Sequence, residues 1–543
     1  MPLGSGLVDS MHPHAAQVSV VVIGYDDATH VTDAVRSALA QGSIVREVIA
    51  VDDCSTDGSP ELLDALAAED PRVRVVRRTT NSGGCGTPRN DGIDAATAPY
   101  LMFLDSDDVL PPGAVDALLI AAVAHGTPVA AGLCVRRELP SGREVPWQPE
   151  LYERPALVSH PSLRPRLAHD TLCVNKLYRT DFLREHGIRF PEGRFPYEDF
   201  VFTARVLAAG PSIALVPDTV YVWHVRRSAR RLSISLDRAD VDNWKARMEA
   251  NRQAYEILLG AGEKRLARAA RAAFLDRGVR MYARELPLRE AGYRGEWWTL
   301  TRAYLSDFDA ADLAQASVPG RVVAQVVLAS GQPRDLHRIK ELAARPARLT
   351  PPYARTEDGS PVWSEDLPQV RLEYLLHRPM RHLPVAVDAD LRPRARGARL
   401  RLRLHELYGR VENARPHRVD VEFVRREDET RVGLTATAAL RREGEHGGWT
   451  AEAPVDLGAL GAGTWDLNLT LRFDDGTSRD TTAHALDGPG LLGRRVVPSL
   501  RHGVLLVQPY ATHSGALALR VAPGVQGVTS VVGRRLKRLL HWA

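Results

Sequence analysis

Between Val18 and Asp108 the chain repeats one pattern: an apolar, β-branched run, then a polar or acidic residue that closes it. VSVVVIGY, REVIAVDD, VRVVRRT and YLMFLDSDD read as strands, because β-branched and aromatic residues suit a buried, pleated surface. Between them, HVTDAVRSALAQ puts Val31, Ala34, Val35 and Leu39 on one helical face, and SPELLDALAAED reads as a second helix. Continuous apolar strands alternating with helices predict an α/β fold built on a parallel sheet. Such sheets bind ligands beyond the carboxyl ends of their strands, and Tyr25, Asp53 and Asp105 sit at those ends.

Past about Leu236 the period changes. DVDNWKARMEANRQAYEILL and EKRLARAARAAFLDRGVRMYARE read as helices, and LTPPYARTEDGSP as a linker. From about Val370 the alternation is two-residue, in ARLRLRLHELY, HRVDVEFVRR, WDLNLTLRF and GVLLVQPY, which predicts a β-sandwich. Five regions follow: a flexible N-terminus over 1–17, the α/β domain over 18–236, a helical linker domain over 237–350, an immunoglobulin-like sandwich over 351–526, and a basic amphipathic tail over 527–543. Trp449 and Trp465 read as buried sandwich residues in preference to sugar platforms.

Composition narrows the classes. With 44% hydrophobic and 25% charged residues, wholesale disorder is excluded. A net charge of +4 is too small to argue for nucleic acid. The four cysteines, Cys54, Cys85, Cys134 and Cys173, show no CxxC spacing, so neither a zinc site nor a redox dithiol is expected. The first residues lack the pattern of a secretory signal, and no run is apolar enough to span a bilayer. A cytoplasmic protein is expected, free or peripheral on the inner face of the membrane. The tail, with Arg534, Lys537 and Arg538 on one helical face, either lies on anionic lipid or docks on its own sandwich.

The cluster Asp105-Ser106-Asp107-Asp108 follows an apolar strand. Carboxylates crowded at a strand end repel one another, and a divalent cation bridging a diphosphate relieves that. Mg²⁺ or Mn²⁺ needs only one or two protein carboxylates, because phosphate and water complete the shell. The plain alternative is a solvated loop before a helix. Its context decides between them. VSVVVIGYDD, VIAVDDCSTDGS, NSGGCGTPRNDG and YLMFLDSDD together resemble, in order and spacing, the family 2 glycosyltransferases of the GT-A fold. The resemblance implies a nucleotide-binding, Rossmann-like mixed sheet. It implies that Tyr25 stacks on a nucleobase, Asp53 accepts a hydrogen bond from it, Asp105 contacts the nucleoside, and Asn81 and Arg89 line the nucleotide pocket. It assigns the metal, Mn²⁺ or Mg²⁺, to Asp107. Ile23 and Asp26 depart from the family's usual Pro and Asn.

A second block, LCVNKLYRTDFLREHGIRFPEGRFPYEDFVFTARVL, resembles the acceptor side of the same family. An inverting transfer needs a base for the acceptor hydroxyl. Asp199 matches the family's base, and Glu198 would orient the acceptor. In YVWHVRRSARRLSIS, Arg226, preferred over Arg227, would face the leaving diphosphate, with His224 as a metal or phosphate contact.

The order of transferase, helical and sandwich regions resembles wall teichoic acid and capsule polymer transferases of Gram-positive bacteria. It implies a nucleotide-sugar donor, a polymeric or lipid-linked glycan or polyol-phosphate acceptor, and room for a homo-oligomer. The leading expectation is an inverting glycosyltransferase using a UDP-sugar. The alternatives are a CDP-polyol polymer transferase and a catalytically degenerate polymer-binding scaffold.

Overall fold

The computed structural model describes residues 17–226, 237–394, 397–426, 428–444, 447–486, 494–499 and 503–523. The expected flexible N-terminus up to residue 16, Arg227 and the basic tail lie outside the described residues. The chain divides into two compact units. The first holds the described residues of Met1–Phe274 with Asp309–Gln315, and the second those of Leu275–Phe308 with Ala316–Ala543.

The first unit runs β1 (Val18–Gly24), α1 (Val31–Leu39), β2 (Val45–Asp52), α2 (Ser59–Glu69), β3 (Val73–Arg77), α3 (Gly86–Ala95), β4 (Tyr100–Asp105) and α4 (Ala114–His125). It continues through β5 (Val129–Leu139), β6 (Arg143–Trp147), β7 (Ala156–Val158), β8 (Lys176–Arg179), α5 (Thr180–Glu185), α6 (Glu198–Ala208), β9 (Ile213–Arg226), α7 (Asp242–Gly260) and α8 (Lys264–Ala273). One sheet forms in the order β3-β2-β1-β4-β8-β5-β9-β7, with β6 paired to β5.

The four apolar runs form the parallel part, β3-β2-β1-β4. β1 and β4 are buried on both faces over most of their length, which is why they read as unbroken apolar runs rather than alternating ones. Beyond β4 the sheet is mixed: β8 runs antiparallel to both β4 and β5, and β5 runs parallel to β9. The mixed sheet implied by the family resemblance is what forms, and the wholly parallel sheet read from strand–helix alternation covers only its first half.

In the second unit, helices Ala291–Leu305, Val318–Ala329 and Leu336–Ala343 precede two sheets. One contains Arg441–Arg442, Trp449–Val455, Gly397–Leu404, Val387–Arg394 and His484–Ala485 in that order. The other contains Asp428–Ala439, Pro416–Arg425, Gly463–Phe473, Leu517–Pro523, Gly503–Ala511 and Arg495–Ser499, with Ser478–Thr482 on Gly463–Phe473. The two-residue pattern does what it promises. Trp465, Leu467, Leu469, Leu471 and Phe473 are buried while their neighbours are not, as a half-buried strand requires. Trp465 is a core residue whose indole donates to the Gly461 carbonyl at 2.9 Å, and Trp449 is half-buried.

Helix α3 crosses β1 at close range because Gly92 faces Val21. A methyl group at Gly92 would lie 2.2 Å from Val21 Cγ1, and Val21 is fully buried. Overpacking of this kind costs ~1–3 kcal/mol. Gly92→Ala is therefore expected to lower the stability of the first unit by about that amount in denaturant unfolding. An unchanged midpoint would show that β1 and α3 can separate freely.

Candidate active site

The site is assembled around one guanidinium. Arg89, on α3, is 3% exposed. Its Nη2 donates to Asp105 Oδ1 at 2.6 Å and its Nη1 to Glu198 Oε1. It therefore joins the end of β4 to the first turn of α6, across more than ninety residues of chain. Burial of a cation is tolerated here because both forks of the guanidinium meet carboxylates. Below it Phe190 stacks on Phe202 at 3.9 Å, with Phe103 edge-on at 5.2 Å, and Arg89 lies 5.3 Å over Phe190. This burial excludes a solvent-facing role for Arg89 on the outside of α3.

The NSGGCG string makes the approach possible. A Cβ at Gly86 would sit 2.0 Å from the Pro191 carbonyl oxygen, so only glycine lets the segment before α6 lie against the start of α3. Tyr197, the residue that opens α6, has φ 67°, in the left-handed region that a bulky side chain rarely adopts. Its hydroxyl donates to Asn243 Oδ1 at 2.7 Å, which holds that backbone in place.

Glu198 and Asp199 are adjacent in the first turn of α6 but differ in their partners. Glu198 is committed to Arg89, whereas the Asp199 carboxylate makes no hydrogen bond or ion pair with another described residue. Burial pushes Asp199 up to about 7, with Glu198's charge adding and those of Arg89 and Arg247 opposing.

At the carboxyl end of β4 the four residues of the acidic cluster part company. Asp105 meets Arg89. Ser106 Oγ donates to Asp27 Oδ2 at 2.8 Å. Asp108 turns inward and is 3% exposed. It accepts the Tyr221 hydroxyl at 2.8 Å and the His224 amide at 2.7 Å, while burial and the charges of Asp107 and Asp105 push its carboxyl well up. Tyr221 also accepts a hydrogen bond from the Asp105 amide at 3.2 Å. Asp108 and Tyr221 thus fasten β9 to the end of β4.

Asp107 is the most exposed carboxylate of the cluster, with its side chain 44% exposed. Arg226 Nη1 reaches its carbonyl at 2.8 Å and its Oδ2 at 3.3 Å, and His224 Nδ1 lies 3.2 Å from the same carbonyl. Desolvation raises Asp107 to about 6, Asp105 adding to the shift and Arg226 opposing it. Desolvation, with Arg226 contributing, lowers His224 and keeps its ring neutral. Among the described residues no three His, Cys, Asp or Glu side chains converge on one point. The donor set still fits a hard divalent ion of the kind that takes one or two carboxylates: an exposed carboxylate crowded by a second one, with a neutral imidazole alongside.

On the far side, Asp53 is 4% exposed and both its oxygens are engaged. Arg78 Nε lies 3.0 Å from Oδ1, and Ser82 Oγ and Asn81 Nδ2 donate to Oδ2 at 2.8 and 3.1 Å. Asn81 also donates to the Asp53 carbonyl and accepts from the Gly83 amide. Asp53 therefore holds the loop that carries Asn81, and Asn81 shapes a turn. Tyr25 stands at the end of β1 with 38% of its surface exposed. The NKLY segment lies inside: Lys176 Nζ meets Asp170 Oδ2 at 2.8 Å, and Asn175 donates to the Gly132 carbonyl at 2.8 Å, fixing β8 to β5. Sequence reasoning missed Tyr221, Arg78, Ser82 and Tyr197. For Tyr221 there was a signal, an aromatic at the centre of an apolar run.

Residues 19–187 match the Glycosyl transferase family 2 profile, and they include β1, the Asp53 turn, Arg89 and the acidic cluster. The chain carries a glycosyl transferase family 2 domain. It is 33% identical over 232 residues to the succinoglycan biosynthesis protein ExoO of Rhizobium meliloti, covering 41% of this chain and 65% of that protein. It is 29% identical over 217 residues to the poly(ribitol-phosphate) beta-N-acetylglucosaminyltransferase TarS of Staphylococcus aureus, covering 40% of this chain and 36% of TarS. The alignments thus span just under two thirds of one relative and little over a third of the other. The crystal structure of S. aureus TarS superposes on 94% of this chain and 86% of its own with a TM-score of 0.53 at 19% identity. That likeness carries the fold, the shared order of a mixed α/β sheet, helices and β-sheets. The helix α6 that presents Asp199 begins beyond the 19–187 match.

The Tyr221 hydroxyl joins β9 to the end of β4. Tyr221→Phe is expected to destabilise the first unit by ~1–3 kcal/mol, because Asp108 and the Asp105 amide both lose a buried partner. Chemical denaturation measures this, and a change within error would mean that β9 is held to β4 by other contacts.

Proposed function

We propose that this chain is an inverting glycosyltransferase that moves a sugar from a UDP-sugar to a hydroxyl of a cell-envelope polymer, teichoic-acid-like or capsular, in one displacement. The observation that carries the reading is the Arg89 bridge: it ties Asp105 to Glu198, so the uncommitted Asp199 carboxylate shares a site with the nucleotide-side residues. The relatives' names lend support. One specifies a poly(ribitol-phosphate) acceptor, another the biosynthesis of succinoglycan. A TarS fragment has been solved with UDP-GlcNAc, and 64% of this chain superposes on it with a TM-score of 0.51 at 22% identity.

In this reading Tyr25 stacks on the nucleobase, and Asp53 with Asn81 forms the base-side wall. Asp105, oriented by Arg89, contacts the nucleoside. Asp107, with His224 beside it, would hold Mn²⁺ or Mg²⁺, which when bound supplies positive charge to the diphosphate. Arg226 adds a fixed cation on the same side, where negative charge grows as the sugar leaves. Glu198, immobilised by Arg89, orients the acceptor, and Asp199 takes the proton of the attacking hydroxyl. Asp199 suits this role better than Glu198, because a carboxylate paired with a guanidinium is a weaker base and has fewer free lone pairs.

A general base is worth ~10² to 10⁴ in rate. Asp199→Asn is expected to lower turnover by that order while donor affinity changes little. Weakened donor binding with turnover preserved would move Asp199 to the nucleotide pocket. The base works only when deprotonated, and its folded pKa is raised to about 7. The unmutated protein should therefore lose kcat/KM as pH falls through the neutral range, not near the ordinary carboxylate value of ~3.9. Activity that stays flat down to pH 5 would contradict the assignment.

Asp107→Ala is expected to abolish turnover and to move the unfolding midpoint little, because the side chain is 44% exposed and its one ion pair, with Arg226 at 3.3 Å, is of the weak, part-exposed kind. Excess chelator should stop the unmutated protein as well. Full turnover in chelator would remove the metal from the account.

A further inference from the structure

Helix α7 carries one side chain that the reading above leaves without a task. The Arg247 guanidinium lies over the rings of Tyr197 at 4.8 Å and Phe200 at 5.2 Å, and those two residues flank Glu198 and Asp199 in the chain. One turn earlier, Asn243 accepts the Tyr197 hydroxyl. Helix α7 therefore grips the start of α6 with a polar and a cationic contact on one face, at i and i+4.

Its electrostatic position is unusual for this site. Arg78 is paired with Asp53, Arg89 with Asp105 and Glu198, and Arg226 with Asp107. Arg247 has no ion pair and no hydrogen bond to another described residue, and its Nε is buried without a partner. Two aromatic faces hold the cation but satisfy none of its N–H groups. A guanidinium fixed by ring stacking, with its fork unfilled, is arranged for a planar, bidentate match to an oxyanion. Tyr197 and Phe200 bracket Glu198 and Asp199 in the chain, so an anion seated on Arg247 lies at the start of α6, the turn that carries Asp199.

We propose that Arg247 binds an anionic group of the acceptor, a phosphodiester adjacent to the attacking hydroxyl, and so selects a polyanionic acceptor over a neutral glycan. The proposal rests on the reading of Asp199 as the base. In a polyol phosphate every free hydroxyl lies a few bonds from a phosphodiester, which suits a base and a guanidinium side by side. Glu198 does not compete for Arg247, because Arg89 already holds it. A neutral acceptor would leave the Arg247 fork unfilled and gain nothing from it.

Binding to the full chain, with UDP present, is measured by calorimetry for three oligomers of equal length: ribitol phosphate, a carboxylated oligosaccharide and a neutral glycan. The unmutated protein should bind ribitol phosphate most tightly, with affinity that falls as salt rises. Arg247→Met keeps an unbranched stem on the two rings and should weaken that binding by about tenfold or more, flatten its salt dependence, and leave UDP affinity unaltered. Arg247→Lys should restore part of the loss and part of the salt dependence. Equal affinity and salt dependence in Arg247→Met would overturn the proposal. So would tighter binding of the neutral glycan by the unmutated protein, and preference for the carboxylated oligomer would overturn the phosphodiester assignment. Binding that depends on Arg247 without any sugar transfer would sustain the anion site and count against the catalytic reading of Asp199, so the two failures are told apart.

Discussion

A buried guanidinium between two carboxylates is the interaction on which the candidate site depends. Arg89 leaves water almost completely, and the cost of that is offset only while Asp105 and Glu198 both remain in place. The rest of the local architecture meets this requirement. Gly86 lets the 190–195 segment approach α3. The stacked Phe190 and Phe202 supply the floor. Tyr197, in a left-handed conformation, turns the chain so that α6 begins with Glu198 towards Arg89. Asp199, next in sequence, is left uncommitted by that geometry.

A second strut acts on the opposite side of the acidic cluster. Asp108 accepts from Tyr221 and from the His224 amide, which ties the end of β9 to the end of β4. With Asp105 drawn to Arg89 and Asp108 drawn inward, Asp107 is left the most exposed carboxylate of the cluster. Four adjacent residues thus acquire four different environments, and the Asp107 carboxyl is raised by desolvation first and by the charge of Asp105 second.

The parallel strands were legible in the sequence because β1, β2 and β4 are buried on both faces and need unbroken apolar runs. The sandwich strands were legible because one face is buried and alternation follows. The antiparallel β8 was not, since Lys176–Arg179 is four residues long and its Lys176 is buried by pairing with Asp170. A local pattern cannot report such a pairing. Arg89 was named from a resemblance, but its burial could not be read: α3 is polar and Gly-rich, and its partners lie 16 and 109 residues away. Asp53 and Asn81 were named separately, yet they bond to each other, a relation that spacing alone does not reveal. Asp108 read as one more acid in a cluster and is instead a buried strut.

That Arg89 makes the two halves of the site one energetic unit is tested by a double-mutant cycle on stability. Asp105→Asn and Glu198→Gln are compared singly and together in denaturant unfolding. Because both carboxylates share one buried guanidinium, the account predicts a coupling energy within ~0.5–3 kcal/mol. Losses that add to within ~0.3–0.5 kcal/mol would mean that the ends of β4 and α6 are held independently, and would contradict the account.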